Sequence, residues 1–599
     1  MTTRTPVAEP VLSKRVVLIA GLTTLIGAAA GVVAVILSSL IGLITNLAFY
    51  GRIDTRLVSP AHGKEGLWLL IIPSIGGLIV GLMARFGSSA IRGHGIPEVM
   101  ENILLSGSRI PKRILFLKPL SAAIAIGTGG PFGAEGPIIA TGGALGSTVG
   151  QSIRVTPDER KVLLAAGAAA GMAATFGTPV AAVLLAIELL LFEYRARSVI
   201  PVALAASAAT AVRIAFFGNG PAFHVPLLTQ PSGAALATYT LLGAVIGVLA
   251  VLLSRAIYWI EDRFEHLPIH WMWWPPIGAV AVGIIGLIEP RTLGIGYEYI
   301  EQIAAGQIVG IALVTFITLK FLSWSIYLGS GTSGGTLAPM FMIGGGAGAA
   351  IAQIVNRIAP ALGLNVTIAA LVGMAGIFAG ASHALLASVV FAFETTRQPI
   401  GLLPLLAGCS ASYLVSLLLA PTSIMTERLA RRGRTVRTEY QMDYLSQVLV
   451  ADVGIKDVVT LDADRTLGDV RAWLRTRSRE STHQGFPVVT SQEKLIGVVT
   501  RRDLDDESHR DEKTIAEIIK RPLAVVFDYN TLRDAADHMV REHVGRLPVV
   551  TLEEPDKIVG IISRSDLLTA HHHRLRAAGE LEPGLFARFG NTEAATGRV

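Results

Sequence analysis

The first 420 residues alternate between long apolar runs and short polar loops. From Val16 to Tyr50 no charged residue occurs. A signal-peptide core spans only ~7–15 residues, so this run predicts a first membrane helix, tilted or broken. Further apolar stretches cover roughly 67–84, 114–150, 162–192, 199–217, 233–256, 272–288, 303–328, 335–355, 366–393 and 400–420. Each is long enough to span a bilayer, for which ~20 residues are needed. Gly and Pro interrupt several of them, at Gly127–Gly150, Gly329–Gly348 and Gly373–Gly380. Close packing through small residues accounts for part of these glycines. It does not account for the clusters that contain Pro. Broken backbone is tolerated at membrane depth only where protein or a watery cavity satisfies the freed N–H and C=O groups.

The clusters repeat. Gly133-Ala-Glu-Gly-Pro137 is followed by Gly142-Gly143 and Gly146, and Gly335-Thr-Leu-Ala-Pro339 by Gly344-Gly345 and Gly348, at identical spacing. Gly167 lies 21 residues before Glu188, and Gly373 lies 21 residues before Glu394. The offsets of 202 and 206 residues predict a duplicated unit of about 200 residues. Interrupted helices at matching places in two copies are the pattern of a transporter's binding site. The match alone does not say whether the copies are inverted.

Charge confirms a change of texture after Ala420. Residues 441–599 hold 22 Lys/Arg and 26 Asp/Glu, whereas the first 440 hold 29 and 19. The whole chain of 599 residues is 51% hydrophobic and 16% charged, with a mean hydropathy of +0.55. Soluble domains carry about 25% charge, so neither one soluble enzyme nor an all-membrane protein fits. The basic excess lies in loops between apolar runs, where it orients helices, and does not indicate nucleic-acid binding. Arg4, Lys14 and Arg15, and then Arg428, Arg431, Arg432, Arg434 and Arg437, place both termini in the cytoplasm by that rule. The lone Cys409 excludes an internal disulfide.

Two similar soluble units follow. The first runs from Asp457-Val-Val-Thr through a helix near Leu467–Leu474 and the strands Phe486-Pro-Val-Val and Leu495–Thr500, to Asp503. The second repeats this from Ala524-Val-Val through a helix near Leu532–Met539 and the strands Leu547-Pro-Val-Val and Ile558–Ser563, to Asp566. Short β-branched runs between amphipathic helices predict small α/β modules. The organisation expected is an N-terminus (1–15), a membrane domain (16–435), a linker (436–446), two soluble units (447–507 and 512–571) and a tail (572–599). His571–His573 read as a solvated helix end. No metal-ligand cluster, nucleophile–base pair or phosphate-binding lysine loop suggests an enzyme.

Gly133–Pro137 predicts a helix start, since Pro favours the first turn. Helix N-termini expose unpaired N–H groups and carry about half a positive charge, which makes them anion sites. Glu135 sits there in an otherwise uncharged stretch, at a cost of several kcal/mol unless compensated. Two readings follow: a carboxylate that yields its place to an anion, or a capping glutamate that never moves. Leu337, the matching residue of the second copy, carries no acid, which favours the first.

Gly93-His-Gly-Ile-Pro97, Gly133-Ala-Glu-Gly-Pro137 and Gly335-Thr-Leu-Ala-Pro339 together resemble the three anion-site signatures of the chloride-channel (CLC) family, over roughly residues 16–435. The two soluble units resemble a tandem cystathionine-β-synthase-type (CBS) pair. The resemblance implies a polytopic all-α membrane protein with inverted repeats and broken helices, a homodimer with one anion pathway per subunit. It implies Glu135 as gate, and an anion site around His94, Gly95, Ile96, Gly133, Ala134, Gly136, Thr336, Leu337 and Met425.

The chain departs from the family where it matters for selectivity. His94 replaces a serine, or the proline of nitrate-preferring members; Leu337 replaces an aromatic; Met425 stands at the pore tyrosine; Ala134 replaces the motif arginine. Backbone N–H groups at Ile96, Thr336 and Leu337 remain available to an anion. His94 reads either as a ligand, making transport pH-dependent when protonated, or as a packing residue. Leu189 stands where exchangers carry their proton-transfer glutamate, and leucine relays no proton. Glu188 and Glu394 read as structural.

In the soluble pair, Thr500 with Asp503 and Ser563 with Asp566 match positions at which CBS pairs bind adenine nucleotides. They fit equally an N-terminal capping motif. The function expected is chloride transport across the plasma membrane, gated by Glu135 and tuned by the CBS pair, with no cofactor required. The alternatives are proton-coupled exchange, another anion, or a non-transporting membrane nucleotide sensor.

Overall fold

The computed structural model describes residues 3–4, 14–434, 444–454 and 458–577. Most of the expected linker, Arg437, Asp457 and the tail beyond Ala577 lie outside these residues. The chain divides into two compact units, Val11–Tyr440 and a second made of Met1–Pro10 with Gln441–Val599.

The larger unit is helical throughout its apolar runs. Its first eight helices are α1 (Lys14–Thr45), α2 (Trp68–Leu82), α3 (Ile96–Leu105), α4 (Ile114–Gly127), α5 (Glu135–Ser152), α6 (Pro157–Phe176), α7 (Pro179–Leu185) and α8 (Ala196–Phe217). The next eight follow in matching order: α9 (Gly233–Glu265), α10 (Trp274–Ile288), α11 (Tyr297–Ala304), α12 (Gly310–Gly329), α13 (Leu337–Ile358), α14 (Val366–Ser382), α15 (Leu385–Thr396) and α16 (Leu402–Leu419). A short α17 (Glu427–Arg431) closes the unit.

Several expected spans prove to be pairs of helices. The run at 114–150 breaks between α4 and α5, where Gly129 adopts φ +101° and Pro131 follows. The run at 162–192 breaks at the left-handed Gly177 that ends α6, and α7 restarts on Pro179. The run at 366–393 breaks at His383, with φ +62°, and that at 303–328 resumes only at Gly310. Among the described residues eight helices have the length and apolarity to cross a membrane; the segments at 114–127, 179–191, 366–382 and 385–396 are shorter. Broken backbone explains the difference: an apolar run need not be one helix where Gly and Pro release its hydrogen bonds.

Helices α5, α6 and α14 are buried along nearly their whole length. By contrast α1, α9, α10, α12 and α16 expose Leu25, Leu241, Ile284, Ile311 and Leu418, the outward apolar surface of a membrane body. The buried helices touch through the repeated glycines. A Cβ on Gly142 would stand 2.1 Å from the Gly167 carbonyl, and one on Gly167 would stand 2.1 Å from the Gly142 carbonyl. Gly344 and Gly373 repeat the contact between α13 and α14, at 2.4 and 2.1 Å. Small residues here permit backbone-to-backbone approach.

The copies also cap each other. The Glu188 carboxylate accepts from the N–H groups of Leu386 and Ala387 at 2.9 and 3.0 Å, at the start of α15. Glu394 accepts from Val180 and Ala181 at 3.1 and 2.8 Å, at the start of α7. Both glutamates are thus structural, and their reciprocity is what a two-fold relation between the copies produces. Gly133 and Gly335 pair antiparallel, as inverted copies require.

The second unit contains β1 (Thr3–Arg4), α18 (Val450–Val453), β2 (Leu461–Asp462), α19 (Leu467–Arg475), β3 (Gly485–Val489), β4 (Leu495–Thr500) and α20 (Arg501–Leu504). It continues with β5 (Ala524–Phe527), α21 (Leu532–Arg541), β6 (Arg546–Val550), β7 (Ile558–Ser563) and α22 (Arg564–Ala577). The sheets run β2-β3-β4 and β1-β5-β6-β7. Both copies pair their last two strands antiparallel, with the same register shift at Val488/Val489 and Val549/Val550. Part of the expected N-terminus is therefore a strand, since β1 runs parallel to β5. His571, His572 and His573 are exposed on α22.

Adjacent glycines give a sharp test of the helix contacts. Gly143 has nothing closer than 3.6 Å to its would-be Cβ, whereas Gly142 meets backbone. Gly142→Ala should therefore cost ~1–3 kcal/mol by overpacking, while Gly143→Ala should be near neutral. Thermal unfolding of the detergent-solubilised protein measures both, and equal melting temperatures would refute the backbone contact.

Candidate functional site

Three helix starts converge on glycines from three loops. Gly93 donates its N–H to the Thr332 carbonyl at 3.1 Å. Gly133 and Gly335 exchange N–H···O=C bonds of 3.3 and 3.0 Å. A Cβ on Gly95 would fall 2.2 Å from the Gly136 carbonyl, and one on Gly136 would fall 2.0 Å from the His94 carbonyl. No side chain fits between these loops, so α3, α5 and α13 begin within backbone contact. Their unpaired N–H groups gather at one place.

Two buried lysines hold the loops, and the sequence reading missed them. Lys118, on α4, donates to the carbonyls of Ile91 and Gly93, both at 2.8 Å. Lys320, on α12, donates to those of Thr292 and Gly294, at 2.9 and 2.8 Å. The offset between the lysines is 202 residues, the same as between the Gly-Pro clusters. A lone lysine in each of two apolar runs at the repeat offset was the available signal.

Glu135 is the first residue of α5 and fully buried. Its Oε1 accepts from the Tyr297 hydroxyl at 2.7 Å. Its Oε2 has no hydrogen-bond partner. The carboxylate lies over Gly133, whose Cβ, if present, would be 1.7 Å from Oε2. It therefore occupies a place at helix ends that suits an anion.

Two other polar side chains are buried here without partners. His94 is 3% exposed and its Nδ1 is unpaired, as is Oγ1 of the buried Thr336. Buried polar groups are usually satisfied; these two orphaned atoms stand directly before the starts of α3 and α13. Ile96, Ala134 and Leu337 are buried alongside. Met425 and Leu189 are buried apolar residues of the same core and offer neither hydroxyl nor carboxyl. Next to Met425, the Ile424 carbonyl accepts from the Tyr258 hydroxyl at 2.8 Å.

Most of the remaining acids nearby are tied down, whereas Glu298, next to Tyr297, keeps a buried Oε1 without a partner. Glu98 accepts from the Gly95 N–H at 2.6 Å and from Arg428 Nη1 at 3.0 Å. Arg428 Nη2 reaches Glu261 at 2.6 Å. Arg431 and Arg432 pair with Asp262 and Glu101. Much of the expected basic flank is thus an ion-pair network. A cavity of about 700 Å³ opens here, lined by Arg92, Glu98, Glu101, Glu261, Arg428 and Arg432 among others. A second, of about 240 Å³, is lined by Thr45, Ser59, Ile126, Gly296, Tyr297 and Glu298 among others. One cavity borders α3 and the other borders its counterpart α11, and Glu135 is in the lining of neither.

In the second unit a cleft of about 880 Å³ includes Thr500, Asp503, Asp506, Lys520, Arg521 and Arg546 in its wall. The Asp503 carboxylate accepts from the N–H and hydroxyl of Thr500 at 2.9 and 2.5 Å. Asp566 accepts likewise from Ser563 at 2.6 and 2.7 Å, but neither of these two lines the cleft. Hydrogen bonds from Ser508, reinforced by Lys520, hold the Asp506 carboxyl well below its usual range, so it stays charged at neutral pH.

Residues 76–417 match the family model described as voltage gated chloride channel, and residues 450–510 and 515–573 each match that of the CBS domain. The chain is 28% identical over 535 residues to chloride channel protein CLC-f of Arabidopsis thaliana, covering 83% of this chain and 62% of that one. It is 30% identical over 411 residues to the H(+)/Cl(-) exchange transporter ClcA of Vibrio campbellii, covering 66% and 87%. The solved structure of a slow cyanobacterial Cl-/H+ antiporter superposes with a TM-score of 0.62 at 23% identity, over 70% of this chain and 98% of that one.

The lysine clamps carry a consequence for stability. Lys118→Met leaves two buried carbonyls unpaired and should destabilise the protein by ~1–3 kcal/mol or more, as should Lys320→Met. A melting temperature unchanged in either variant would contradict a clamping role.

Proposed function

The chain belongs to the voltage gated chloride channel family, and we propose that it carries chloride through a pathway gated by Glu135. The observation that carries this reading is one fully buried carboxylate at converging helix starts, with one oxygen held by Tyr297 and the other unpaired. Helix N-termini supply about half a positive charge each. A chloride that takes the carboxylate's place keeps their N–H groups satisfied, so exchange of one anion for the other costs little. The side-chain hydroxyls absent at His94 and Met425 leave selectivity to backbone N–H groups and to the two replacements.

Proton coupling is the second reading, favoured by the exchanger name of the Vibrio relative. Leu189 offers no proton site, and Glu188 cannot stand in for it because both its oxygens accept backbone N–H groups. Coupling would then need a water path to Glu135. Both readings treat the chain as a transporter rather than an enzyme, in the plasma membrane as a homodimer. Basic residues before α1 and after α16 support cytoplasmic termini.

The CBS pair is proposed to bind an adenine nucleotide and to tune transport. The mixed wall of the cleft supports this, with Lys520, Arg521 and Arg546 for phosphates and Asp503 for a ribose. One site is expected, at Thr500–Asp503, since Ser563 and Asp566 lie off the cleft.

Flux from proteoliposomes under a chloride gradient, with a pH-sensitive reporter, tests the transport reading. Chloride efflux is expected in the wild type, and Glu135→Gln should lose its pH dependence. No anion flux with verified reconstitution would sink the reading, and an unchanged pH profile in Glu135→Gln would remove the gate. Proton uptake locked to efflux would establish exchange. In ATP titrations Asp503→Ala should weaken binding at least several-fold and Asp566→Ala should not; equal affinity in all three proteins would return both acids to capping.

A further inference from the structure

Among the described residues Tyr297 is the side chain that holds the gating carboxylate, at 2.7 Å, and nothing in the chain's CLC signatures pointed to it. It begins α11 directly after Gly294-Ile-Gly296, which repeats Gly93-His-Gly95 at an offset of 201 residues. In the copy, Tyr297 therefore stands where Ile96 stands in the original. Its loop is fixed by Lys320, which grips Thr292 and Gly294. Its ring is packed edge-on by Phe176 and Phe223, at centroid distances of 5.7 and 6.1 Å. The hydroxyl is thus held in place independently of Glu135, and the residue borders the smaller cavity.

A fixed phenol donor aimed at an anionic oxygen discriminates by charge, not by identity. When the carboxylate leaves, the donor stays behind, half-buried at the cavity wall and without its acceptor, and is free to bond the next anion that arrives. We infer that Tyr297 is an anion ligand: its hydroxyl, which Glu135 borrows when the gate is shut, is donated to a chloride or similar monovalent anion occupying the vacated position. Tyr297 thereby supplies a hydroxyl donor to a chain whose His94 and Met425 provide none. The proposal rests on Glu135 being the gate.

The test uses full-length protein carrying Glu135→Ala, in which the carboxylate is gone and the position is open. Chloride is titrated calorimetrically into this variant and into Glu135→Ala/Tyr297→Phe, which keeps the ring and its packing. A hydrogen bond to a charged partner contributes ~1.5–3 kcal/mol, so the double variant should bind chloride at least about tenfold more weakly. Equal affinity would overturn the ligand role. Failure of Glu135→Ala alone to bind chloride, in protein shown to be folded and dimeric or monomeric but monodisperse, would overturn the gate reading and this proposal with it. In the otherwise native protein Tyr297→Phe removes the latch, so turnover should rise at saturating chloride while half-saturation moves to higher chloride. Loss of turnover with unchanged half-saturation would mark Tyr297 as merely structural.

Discussion

Everything in the membrane unit depends on three helix starts meeting without side chains between them. The Gly95–Gly136 and Gly133–Gly335 contacts leave no room for a Cβ, so backbone touches backbone. That geometry brings the starts of α3, α5 and α13 together, so that their partial positive charges add. Backbone dipoles that converge in a dry interior attract an anion strongly and need no lysine or arginine to do so. The absence of the motif arginine at Ala134 is consistent with that division of labour. The lysines that are present, Lys118 and Lys320, face away from the site's N–H groups and spend their donors on loop carbonyls.

Buried charge is costly, and the way each buried acid meets that cost separates fixed groups from a movable one. Glu188 and Glu394 each accept two backbone N–H groups across the repeat boundary. Glu98 has a backbone N–H and an arginine. Moving any of these would strand several partners. Among the described residues Glu135 is the acid with no exposure at all, yet it relies on one hydroxyl and leaves an oxygen unpaired. Compared with Glu188, Glu394 and Glu98 it has fewer partners to strand, so the fold releases it more cheaply.

The sequence displayed the repeat, the helix start at Glu135 and the pairing of Glu188 with Glu394, because each rests on short motifs that recur at a fixed offset. Strand and helix positions in the CBS pair were legible for the same reason, down to β3, β4, β6 and β7. The break before Glu135 was signalled by Gly133–Pro137, whereas those at 177–178 and 383 were hidden inside apolar runs, where hydropathy is blind to released hydrogen bonds. Tyr297 was missed because its partner lies 162 residues away. Only the Gly-x-Gly recurrence at 93–95 and 294–296 could have led to it. Contacts between copies are invisible to periodicity, yet they are what two-fold relations multiply.

Duplication does not make the two halves of either unit equivalent. In the membrane unit, the acid of α5 has Leu337 as its counterpart, and Ile96 has Tyr297. These two exchanges complement each other: the first copy supplies the acid and the second supplies the hydroxyl that meets it. In the second unit the motifs stay alike while their surroundings diverge. Thr500 and Asp503 face a cleft with Lys520 and Arg546 in its wall, and Ser563 and Asp566 keep only their cap. In both units the fold is built from repetition and the chemistry from its local failure. A residue that breaks the repeat at a buried polar position is therefore a stronger functional marker here than one that preserves it.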